Sequence, residues 1–161
     1  MTHSIREATR DDLPALRAIQ LATLAEPWPE LLGVAVEGPP IALVCDGAEP
    51  TGYALALSAG GPSADADSVA PSAPATLAGE RSALLVELAV AAPRQGEGRG
   101  SALLSALVDR LRASGHDRLT ATARATDRRV LAFYRARGFD RVERLSDHFE
   151  SGDGHLLVQR L

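Results

Sequence analysis

The sequence predicts a single α/β domain, and three observations support this prediction. The chain has 161 residues, the usual length of one domain with its own core. Segments with the apolar pattern of a strand alternate along it with segments that have the period of a helix. Apolar residues make up 45% of the sequence and charged residues 24%, as in ordinary globular domains. We therefore expect residues 1–161 to form one domain.

The first half of the chain predicts three strands and one or two helices. The first helix begins at Asp11 or Asp12, either of which can cap it. The second and third strands are joined at Asp46-Gly47, a strong hairpin signal. In order, the expected elements are a strand at 3–8, a helix to about Leu24, a short helix or turn at about 30–37, and strands at 41–45 and 52–57.

The second half continues the alternation after a long connection. Residues 58–80 are rich in Ser, Ala, Gly, Pro and Asp with almost no large apolar side chain, which predicts a flexible surface loop. The expected elements beyond it are a strand at 84–90, a helix at 101–113 that ends at Gly115, a strand at 118–123, a helix at 127–137, and strands near 139–147 and 154–160.

Three glycines at alternate positions, Gly96, Gly98 and Gly100, lie between the apolar strand at 84–90 and the helix that follows. Glycine carries no Cβ, so this turn can direct backbone N–H groups at a ligand. The helix, which begins near Ser101, adds its unpaired N–H groups and the positive end of its dipole. The segment therefore predicts a binding site for an anion such as a pyrophosphate.

Two other phosphate-binding motifs do not fit this turn. A nucleotide P-loop needs a lysine after its last glycine, and the chain contains no lysine. The dinucleotide fingerprint needs the spacing G-x-G-x-x-G and an acidic residue at the end of the next strand. Here the spacing is G-x-G-x-G, and the next strand ends at Arg124. A tight turn without a ligand stays open as an alternative.

Two motifs, in the expected order, resemble the GNAT superfamily of N-acetyltransferases. The spacing Gln95-x-x-Gly98-x-Gly100 after a strand is similar to its acetyl-CoA loop, and residues 126–139 resemble its N-x-x-A-x-x-F/L-Y-x-x-x-G-F helix. Residues 5–13 are also typical of the opening of such domains. The resemblance implies a mixed, mostly antiparallel central sheet of six to seven strands flanked by about four helices. It also implies that acetyl-CoA lies at the splay between two central strands.

The resemblance implies which residues bind acetyl-CoA. The strand before the glycine loop would hold the pantetheine arm through its backbone, and the loop with the start of the helix would hold the pyrophosphate. Where the family pattern has an asparagine that contacts the pantetheine, this chain has Asp127, which can only accept hydrogen bonds when ionised. The implied residues are Leu88, Ala89, Val90, Gln95, Gly96, Glu97, Gly98, Arg99, Gly100, Ser101 and Asp127.

The same resemblance makes Tyr134 the expected proton donor to the coenzyme A sulfur. From the residues alone, a tyrosine beside a phenylalanine on a helix is a core residue, and the two motifs together favour the catalytic role. Thr126 is the expected N-cap of this helix. Gly138 followed by Phe139 is the expected C-terminal signal, a C′ glycine with its hydrophobic contact.

Glu87 interrupts a strand that is otherwise apolar. An isolated carboxylate on a buried strand is costly unless it meets water, a partner or a substrate. Many members of the superfamily use a glutamate on this strand, directly or through water, to take the proton of the acceptor amine, so the resemblance implies that role for Glu87. A structural ion pair or a solvent-facing position is the alternative.

Composition argues against several other partners. The net charge is −4 with no basic stripe, so nucleic-acid binding has little support. No apolar run is long enough to span a bilayer and no signal-peptide pattern opens the chain, so we expect a cytoplasmic protein without a membrane partner. The four histidines lack metal-ligand spacing, and no metal is expected. The single cysteine, Cys45, is expected to be packed in a strand.

The sequence thus predicts an N-acetyltransferase that moves an acetyl group from acetyl-CoA directly to a primary amine. A small-molecule acceptor is favoured over a protein. The branch of the superfamily that acetylates ribosomal-protein N-termini carries a glutamate five residues before Asp127, and this chain has Thr122 there. A GNAT-like module that binds acyl-CoA without turnover is the alternative. Many relatives form homodimers through their C-terminal strands, which makes a homodimer a further expectation.

Overall fold

The computed structural model describes residues 3–38, 40–45, 49–59 and 81–161. These residues form seven β-strands and four α-helices, in agreement with the expected α/β class. In chain order the elements are β1 (Ile5–Glu7), α1 (Leu13–Thr23), α2 (Pro29–Ala35), β2 (Ile41–Cys45), β3 (Gly52–Ala59), β4 (Ser82–Val90), α3 (Arg99–Ala113), β5 (Arg118–Arg124), α4 (Arg128–Ala136), β6 (Asp140–Phe149) and β7 (Gly152–Arg160).

The chain divides into two compact units, of which the first contains Met1–Leu57 and Leu85–Arg110. In this unit the strands follow the order β1-β2-β3-β4. Strand β2 pairs antiparallel with both β1 and β3. Strand β2 is IALVC and β3 opens GYALAL, so both strands supply apolar side chains to the core. Ile41, Val44 and Tyr53 are residue types with high strand propensity.

The core of the first unit is built from α1, α2 and the strands. Helix α1 places apolar residues at three- and four-residue spacing, so one face of the helix is buried. Each large aliphatic side chain buried in this way contributes about 1.5–3 kcal/mol to folding. The buried apolar residues of this cluster are Leu16, Ile19, Leu32, Ala35, Ala42, Val44, Tyr53, Leu55 and Ala89.

The second unit contains Ser58–Leu84 and Leu111–Leu161. Here β7 lies between β5 and β6 and pairs antiparallel with both. The register places His155 of β7 opposite Ala123 of β5 and Arg144 of β6. The long β6–β7 hairpin turns at Gly152, whose φ is +132°. Leu119, Leu156 and Leu157 are buried in this sheet.

The start of α1 is held by a buried carboxylate, Asp12, which precedes the helix. Its two oxygens accept hydrogen bonds from the Arg6 guanidinium at 2.7 and 2.8 Å, and Oδ2 also accepts from the backbone N–H of Thr9 at 2.7 Å. The hydrogen bond from Arg6 lowers the pKa of Asp12 to about 2. Arg6 and Thr9 can only stabilise the ionised form through these bonds, so Asp12 is locked as a carboxylate near neutral pH.

We expect Asp12→Asn to lower the free energy of unfolding at neutral pH by about 2 kcal/mol, because it removes charge-assisted hydrogen bonds. The folded pKa lies below the ordinary value of 3.8, so the wild-type protein should lose this stabilisation as the pH falls from about 4 towards 2. Urea unfolding across that range measures it, with the exposed neighbour substitution Asp11→Asn as the control. Equal pH slopes for wild type and Asp12→Asn would contradict the assignment.

The predicted C-terminal signals of two helices are confirmed. Gly138 follows α4 with φ +91° and donates its N–H to Arg135 O at 3.2 Å, and Phe139 donates to Tyr134 O at 3.1 Å. This is the paired bonding of a Schellman motif, and the buried Phe139 supplies the hydrophobic contact. Gly115 ends α3 in the same way.

Other boundaries differ from the expectations. Strand β3 continues to Ala59, so the first two residues of the expected 58–80 loop are in a strand, while the rest of that loop and the expected turn at Asp46-Gly47 lie outside the described residues. Helix α3 begins at Arg99, two residues earlier than expected. Within the described part of the chain, no helix is long and apolar enough to cross a membrane.

Candidate functional site

The glycine loop connects β4 to α3 in the first unit. Gly96 and Gly98 have φ values of +80° and +85°, a conformation that other residues rarely adopt. A Cβ at Gly96 would meet nothing within 4 Å, and one at Gly98 would meet only His3 Nε2 at 3.9 Å. Backbone conformation rather than crowding therefore demands glycine here, and the space beside the loop is open to a ligand.

Side chains of the loop hold it in place. Gln95 Nε2 donates to Val90 O at 3.0 Å, which ties the loop back to the end of β4. Arg99 Nε donates to Thr51 Oγ1 at 3.1 Å, and its guanidinium pairs with Glu97. The His3 ring bonds the Glu97 carbonyl oxygen at 2.8 Å. These side chains fix the loop, and the anion binding predicted for its backbone N–H groups stays a prediction.

The beginning of α3 follows the glycine loop directly. Gly100 and Ser101 lie in the first turn of this helix of 15 residues, the end at which the positive pole of the helix dipole lies. Such a turn, preceded by a glycine loop, can bind a pyrophosphate through its N–H groups and dipole. The residues present fit the phosphate end of acetyl-CoA, because Gly96 and Gly98 leave the approach to the backbone open.

Strand β4 alternates between its two faces. Ala83, Leu85, Glu87 and Ala89 are buried, while Leu88 and Val90 are only partly buried on the opposite face. Of the three residues expected to contact pantetheine, Ala89 therefore directs its side chain into the core. A pantetheine contact through the backbone is compatible with this, and it stays a prediction, as does the expected splay between two central strands.

Glu87 is buried in the first unit, and both oxygens of its carboxylate accept hydrogen bonds. Gln20 Nε2 of α1 lies 3.0 Å from Oε1 and 2.9 Å from Oε2. The Trp28 backbone N–H donates to Oε1 at 3.2 Å, and the Tyr53 hydroxyl donates to Oε2 at 2.8 Å. Because a buried carboxylate needs such partners, this cluster accounts for the position of Glu87 in a core strand.

The partners of Glu87 are all neutral. Within the described residues Glu87 makes hydrogen bonds and no ion pair, and at 7% exposed it does not face solvent. Neither alternative that the sequence left open beside a catalytic role is therefore observed there. Burial, and next the negative charge of Glu87, raise the pKa of Tyr53 well above its ordinary value. The Tyr53 hydroxyl therefore keeps its proton and remains a hydrogen-bond donor to Glu87 at neutral pH.

Sequence analysis missed Gln20 and Tyr53 as members of this site. A signal exists for each of them. Gln20 lies four residues after Leu16 on the apolar face of α1 and is fully buried, and Tyr53 is the one polar side chain in the GYALAL segment of β3. A polar group at a core position needs a buried partner, and Glu87 is a matching polar group on a neighbouring apolar strand.

Tyr134 is on α4, in the second unit. Its ring makes edge-to-face contacts with Phe133 and Phe139 at centroid distances of 5.4 and 5.1 Å, and its side chain is buried. Burial raises the pKa of Tyr134 to about 12. Within the described residues its hydroxyl has no hydrogen-bond partner, although buried tyrosine hydroxyls usually find one. The phenol is thus protonated at neutral pH, and its expected role as a proton donor stays a prediction.

Asp127, rather than Thr126, is the N-cap of α4. The Asp127 carboxylate accepts the backbone N–H of Val130 at 3.1 Å. The expectation for Thr126 was wrong by one residue, because both side chains can cap a helix and the one nearer to the first turn makes the bond. Asp127 therefore uses one of its oxygens in the structure of α4, and its expected contact with pantetheine stays a prediction.

The structure thus groups the expected residues by unit. Glu87, the end of β4 and the glycine loop belong to the first unit, and Tyr134 and Asp127 belong to the second. Thr122 is on β5, opposite Leu156. Among the described residues, no group of three or more His, Cys, Asp or Glu side chains is arranged to hold a metal ion.

The sequence matches the model of the acetyltransferase (GNAT) family over residues 2–139, and no curated protein sequence matches the chain. Ard1 from Thermoplasma volcanium superposes with a TM-score of 0.81 at 18% identity, covering 100% of this chain and 99% of its own. NAA60 from Arabidopsis thaliana in complex with acetyl-CoA also gives 0.81, at 17% identity with 99% of each chain covered. The ribosomal-protein-S18-alanine N-acetyltransferase from Escherichia coli gives 0.76 at 20% identity, covering 99% of this chain and 94% of its own.

These structures share the mixed α/β fold with seven strands and four helices. The chain belongs to the GNAT family of acetyltransferases, whose acetyl donor is acetyl-CoA.

Proposed function

We propose that the protein is an acetyl-CoA-dependent N-acetyltransferase that moves the acetyl group directly to a primary amine. The observation that carries this proposal is the Tyr134 hydroxyl, which is protonated and has no hydrogen-bond partner among the described residues. A phenol in that state is suited to give its proton to a leaving thiolate. Membership of the GNAT family supplies the donor substrate for such a step.

The glycine loop and the start of α3 would hold the pyrophosphate of acetyl-CoA. Backbone N–H groups from Gly96 to Ser101 are the proposed donors, while Gln95, Glu97 and Arg99 hold the loop through the bonds described above. The backbone of Leu88, Ala89 and Val90 is proposed to bind the pantetheine arm. Asp127 is proposed at the edge of this arm, where its second oxygen can accept a hydrogen bond.

The reaction needs three proton transfers. The acceptor enters as an ammonium ion, and Glu87, directly or through water, takes one proton to give the neutral amine. The amine nitrogen forms a bond to the thioester carbonyl carbon, and collapse of the tetrahedral intermediate breaks the carbon–sulfur bond. The attacking nitrogen releases its extra proton to water, and Tyr134 protonates the departing thiolate of coenzyme A and is reprotonated from solvent. No covalent bond to the protein is required.

We propose a small-molecule amine rather than a protein as the acceptor. Thr122 supports this choice, because it stands where relatives that acetylate ribosomal-protein N-termini carry a glutamate. The solved structures include an alanine N-acetyltransferase of a ribosomal protein, so peptides beginning with alanine belong in the same screen as free amines. Cytoplasmic location and homodimer formation remain expectations from the sequence.

Acetyl-CoA is expected to stabilise the protein against heat. At about 100 times its dissociation constant, a ligand that binds only the folded state adds about 2.7 kcal/mol to the free energy of unfolding. The melting temperature should therefore rise with acetyl-CoA and with free CoA, and not with NADPH. Differential scanning fluorimetry with each ligand in turn measures this.

Two glycine variants form a matched pair for that measurement. Gly96→Ala and Gly152→Ala both add a Cβ that meets nothing within 4 Å, and both act on a backbone with positive φ. Only Gly96→Ala alters the proposed pyrophosphate loop, so it should reduce the shift with acetyl-CoA while Gly152→Ala keeps it. A protein that shows no shift at saturating acetyl-CoA would rule out the proposed donor site.

A binding module without turnover is the second candidate function. The capping bond of Asp127 favours it, because the family's asparagine can donate a hydrogen bond that an ionised Asp127 cannot. Turnover decides between the two functions. An enzyme releases coenzyme A thiol when acetyl-CoA and an amine panel are supplied together, whereas a binding module shows the thermal shift alone.

A further inference from the structure

The two side chains that bond Glu87, those of Gln20 and Tyr53, can each donate or accept a hydrogen bond. A glutamine amide has both a donor and an acceptor atom, and a tyrosine hydroxyl can donate or accept by rotation. Gln20 and Tyr53 therefore bond the carboxylate as donors and can each bond a carboxylic acid as acceptors. The Trp28 N–H is the one partner of Glu87 that can only donate.

Asp12 provides a contrast within the same unit. It is also buried, but the Arg6 guanidinium, which bonds its two oxygens at 2.7 and 2.8 Å, has no acceptor atom. A proton on Asp12 would oppose both of these bonds, and the Thr9 hydroxyl, 3.2 Å from Oδ2, is its one side-chain contact that can accept. Among the described residues, Asp12 is thus held mainly by a cation that only donates, whereas both side-chain partners of Glu87 suit either protonation state.

We propose that Gln20 and Tyr53 are positioning residues that allow Glu87 to take up and release a proton without leaving its place in the core. This inference rests on the proposed role of Glu87 as the general base. In this role Gln20 and Tyr53 bond both the ionised and the protonated form of Glu87, in addition to packing in the core.

Proton transfer changes the hydrogen bonds of Glu87. Gln20 Nε2 and the Tyr53 hydroxyl donate to its oxygens, so a proton that binds an oxygen on the side of either group displaces that donor. The ammonium N–H bond breaks and a Glu87 O–H bond forms. This new O–H donates to Tyr53 Oη after rotation of the hydroxyl, or to Gln20 Oε1 after reversal of the amide. The reverse motion follows when Glu87 releases the proton to water.

Gln20 is prepared for such a reversal. Its Oε1 atom is buried and has no hydrogen-bond partner within the described residues, while its Nε2 contacts both oxygens of Glu87. Reversal therefore exchanges one unpartnered amide atom for the other. An amide whose oxygen also had a partner would lose that bond on turning, whereas Gln20 exchanges only its contacts with Glu87.

Among the described residues of β2, β3, β4, α1 and α2, no buried cation lies beside Glu87 to oppose its protonation. Strand β2 and strand β3 carry no charged side chain, and Glu87 is the one charged residue of β4. Arg17 is the charged residue of α1 and Glu30 that of α2, and both are exposed. Tyr53 is the one titratable side chain in contact with Glu87. The remaining neighbours in this core are apolar: Leu16, Ile19, Leu32, Leu55 and Ala89.

The test is a titration of Glu87 by carbon-13 NMR in protein labelled at the glutamate carboxyl carbons. The signal that disappears in Glu87→Gln identifies the residue. Tyr53→Phe and Gln20→Leu each remove a donor to the carboxylate, so each should move the titration midpoint of Glu87 to higher pH by on the order of one unit. Gln20→Lys keeps a donor and removes the acceptor, and should move the midpoint to lower pH.

Gln159→Met is the matched control, because Gln159 also has a buried, unpartnered Oε1 but belongs to the second unit. Its Glu87 midpoint should equal that of wild type. With an acceptor from the amine screen, the acidic limb of kcat/KM should move with the NMR midpoint in each variant. Tyr53→Phe keeps the ring and therefore the packing, so it tests the inference even where Gln20→Lys does not fold.

Unchanged midpoints in Tyr53→Phe and Gln20→Leu would overturn the inference and leave the acetyltransferase proposal standing. Full turnover in Gln20→Lys would also overturn it, because a locked carboxylate could then serve as well as the wild-type one. The NMR titration needs neither acetyl-CoA nor an acceptor. If the wild-type protein binds acetyl-CoA but acetylates no amine, the proposed function is contradicted. That outcome is independent of the NMR titration, which tests only the roles of Gln20 and Tyr53.

Discussion

Tyr134→Phe is expected to lower kcat by about 10²–10⁴-fold while acetyl-CoA binding is retained, because the variant removes the proton that the leaving thiolate takes. The ring contacts with Phe133 and Phe139 do not involve the hydroxyl and should persist. The hydroxyl has no hydrogen-bond partner within the described residues, so its removal should leave the free energy of unfolding unchanged or slightly increased. A large loss of rate with intact stability is the signature of a chemical role.

The measurement is release of coenzyme A thiol with an acceptor from the amine screen, together with the dissociation constant for acetyl-CoA by calorimetry. Phe133→Leu is the control, since it removes a ring beside Tyr134 and keeps the hydroxyl. It should lower stability more than turnover. Full activity of Tyr134→Phe would show that the proton comes from another group, such as water.

The pH dependence of the rate follows from the burial of Tyr134. Its pKa of about 12 means that the phenol is protonated throughout the neutral and mildly alkaline range. A fall in kcat/KM between about pH 7 and pH 10 would therefore report another group. In the Tyr134→Phe variant, the remaining rate should keep the same pH profile over this range.

Most of the helices, strands and loops could be predicted from short stretches of sequence. Gly115 and Gly138 mark helix ends because a glycine with positive φ closes the last turn whatever surrounds it. The apolar run that ends at Val90 and the glycines after it likewise predict a strand and a loop without knowledge of the rest of the chain. The structure confirms these elements with boundary differences of one to a few residues, which is the usual uncertainty of helix and strand ends.

The sequence marks Gln20 and Tyr53 as polar groups at core positions, but for a physical reason it does not pair them with Glu87. Gln20 is 67 residues away in the chain and Tyr53 is 34 residues away, so only the packing of α1 and β3 against β4 brings them to the carboxylate. Arg99 shows the same limit. A positive residue beside a phosphate loop suggests a phosphate contact, yet its guanidinium bonds Thr51 and Glu97. Long-range partners decide which side chains are free for a ligand.

Glu87→Gln is the second substitution with a large expected effect. The amide cannot accept a proton near neutral pH, so kcat should fall by about 10²–10⁴-fold if Glu87 is the general base. The fold should persist, because the new carboxamide oxygen, in the place of Oε1, can accept from the Trp28 N–H and from Gln20 Nε2. Its NH₂ group, in the place of Oε2, can donate to the Tyr53 hydroxyl once that hydroxyl has rotated. Glu143→Gln on β6, an exposed position, is the control for the charge change.

Glu87→Leu separates stability from chemistry at the same position. Leucine accepts no hydrogen bond, so it would leave Gln20 Nε2, the Tyr53 hydroxyl and the Trp28 N–H buried without an acceptor, at a cost of about 1–3 kcal/mol for each group. The free energy of unfolding measured in urea should thus be close to the wild-type value for Glu87→Gln and several kcal/mol lower for Glu87→Leu. If Glu87→Gln keeps full kcat, the carboxylate is a structural anchor for α1, β3 and the segment before α2, and water or another group accepts the proton of the amine. If kcat falls while the urea midpoint holds, the loss belongs to the chemical step, because the fold has then kept every contact except the one that can carry a proton.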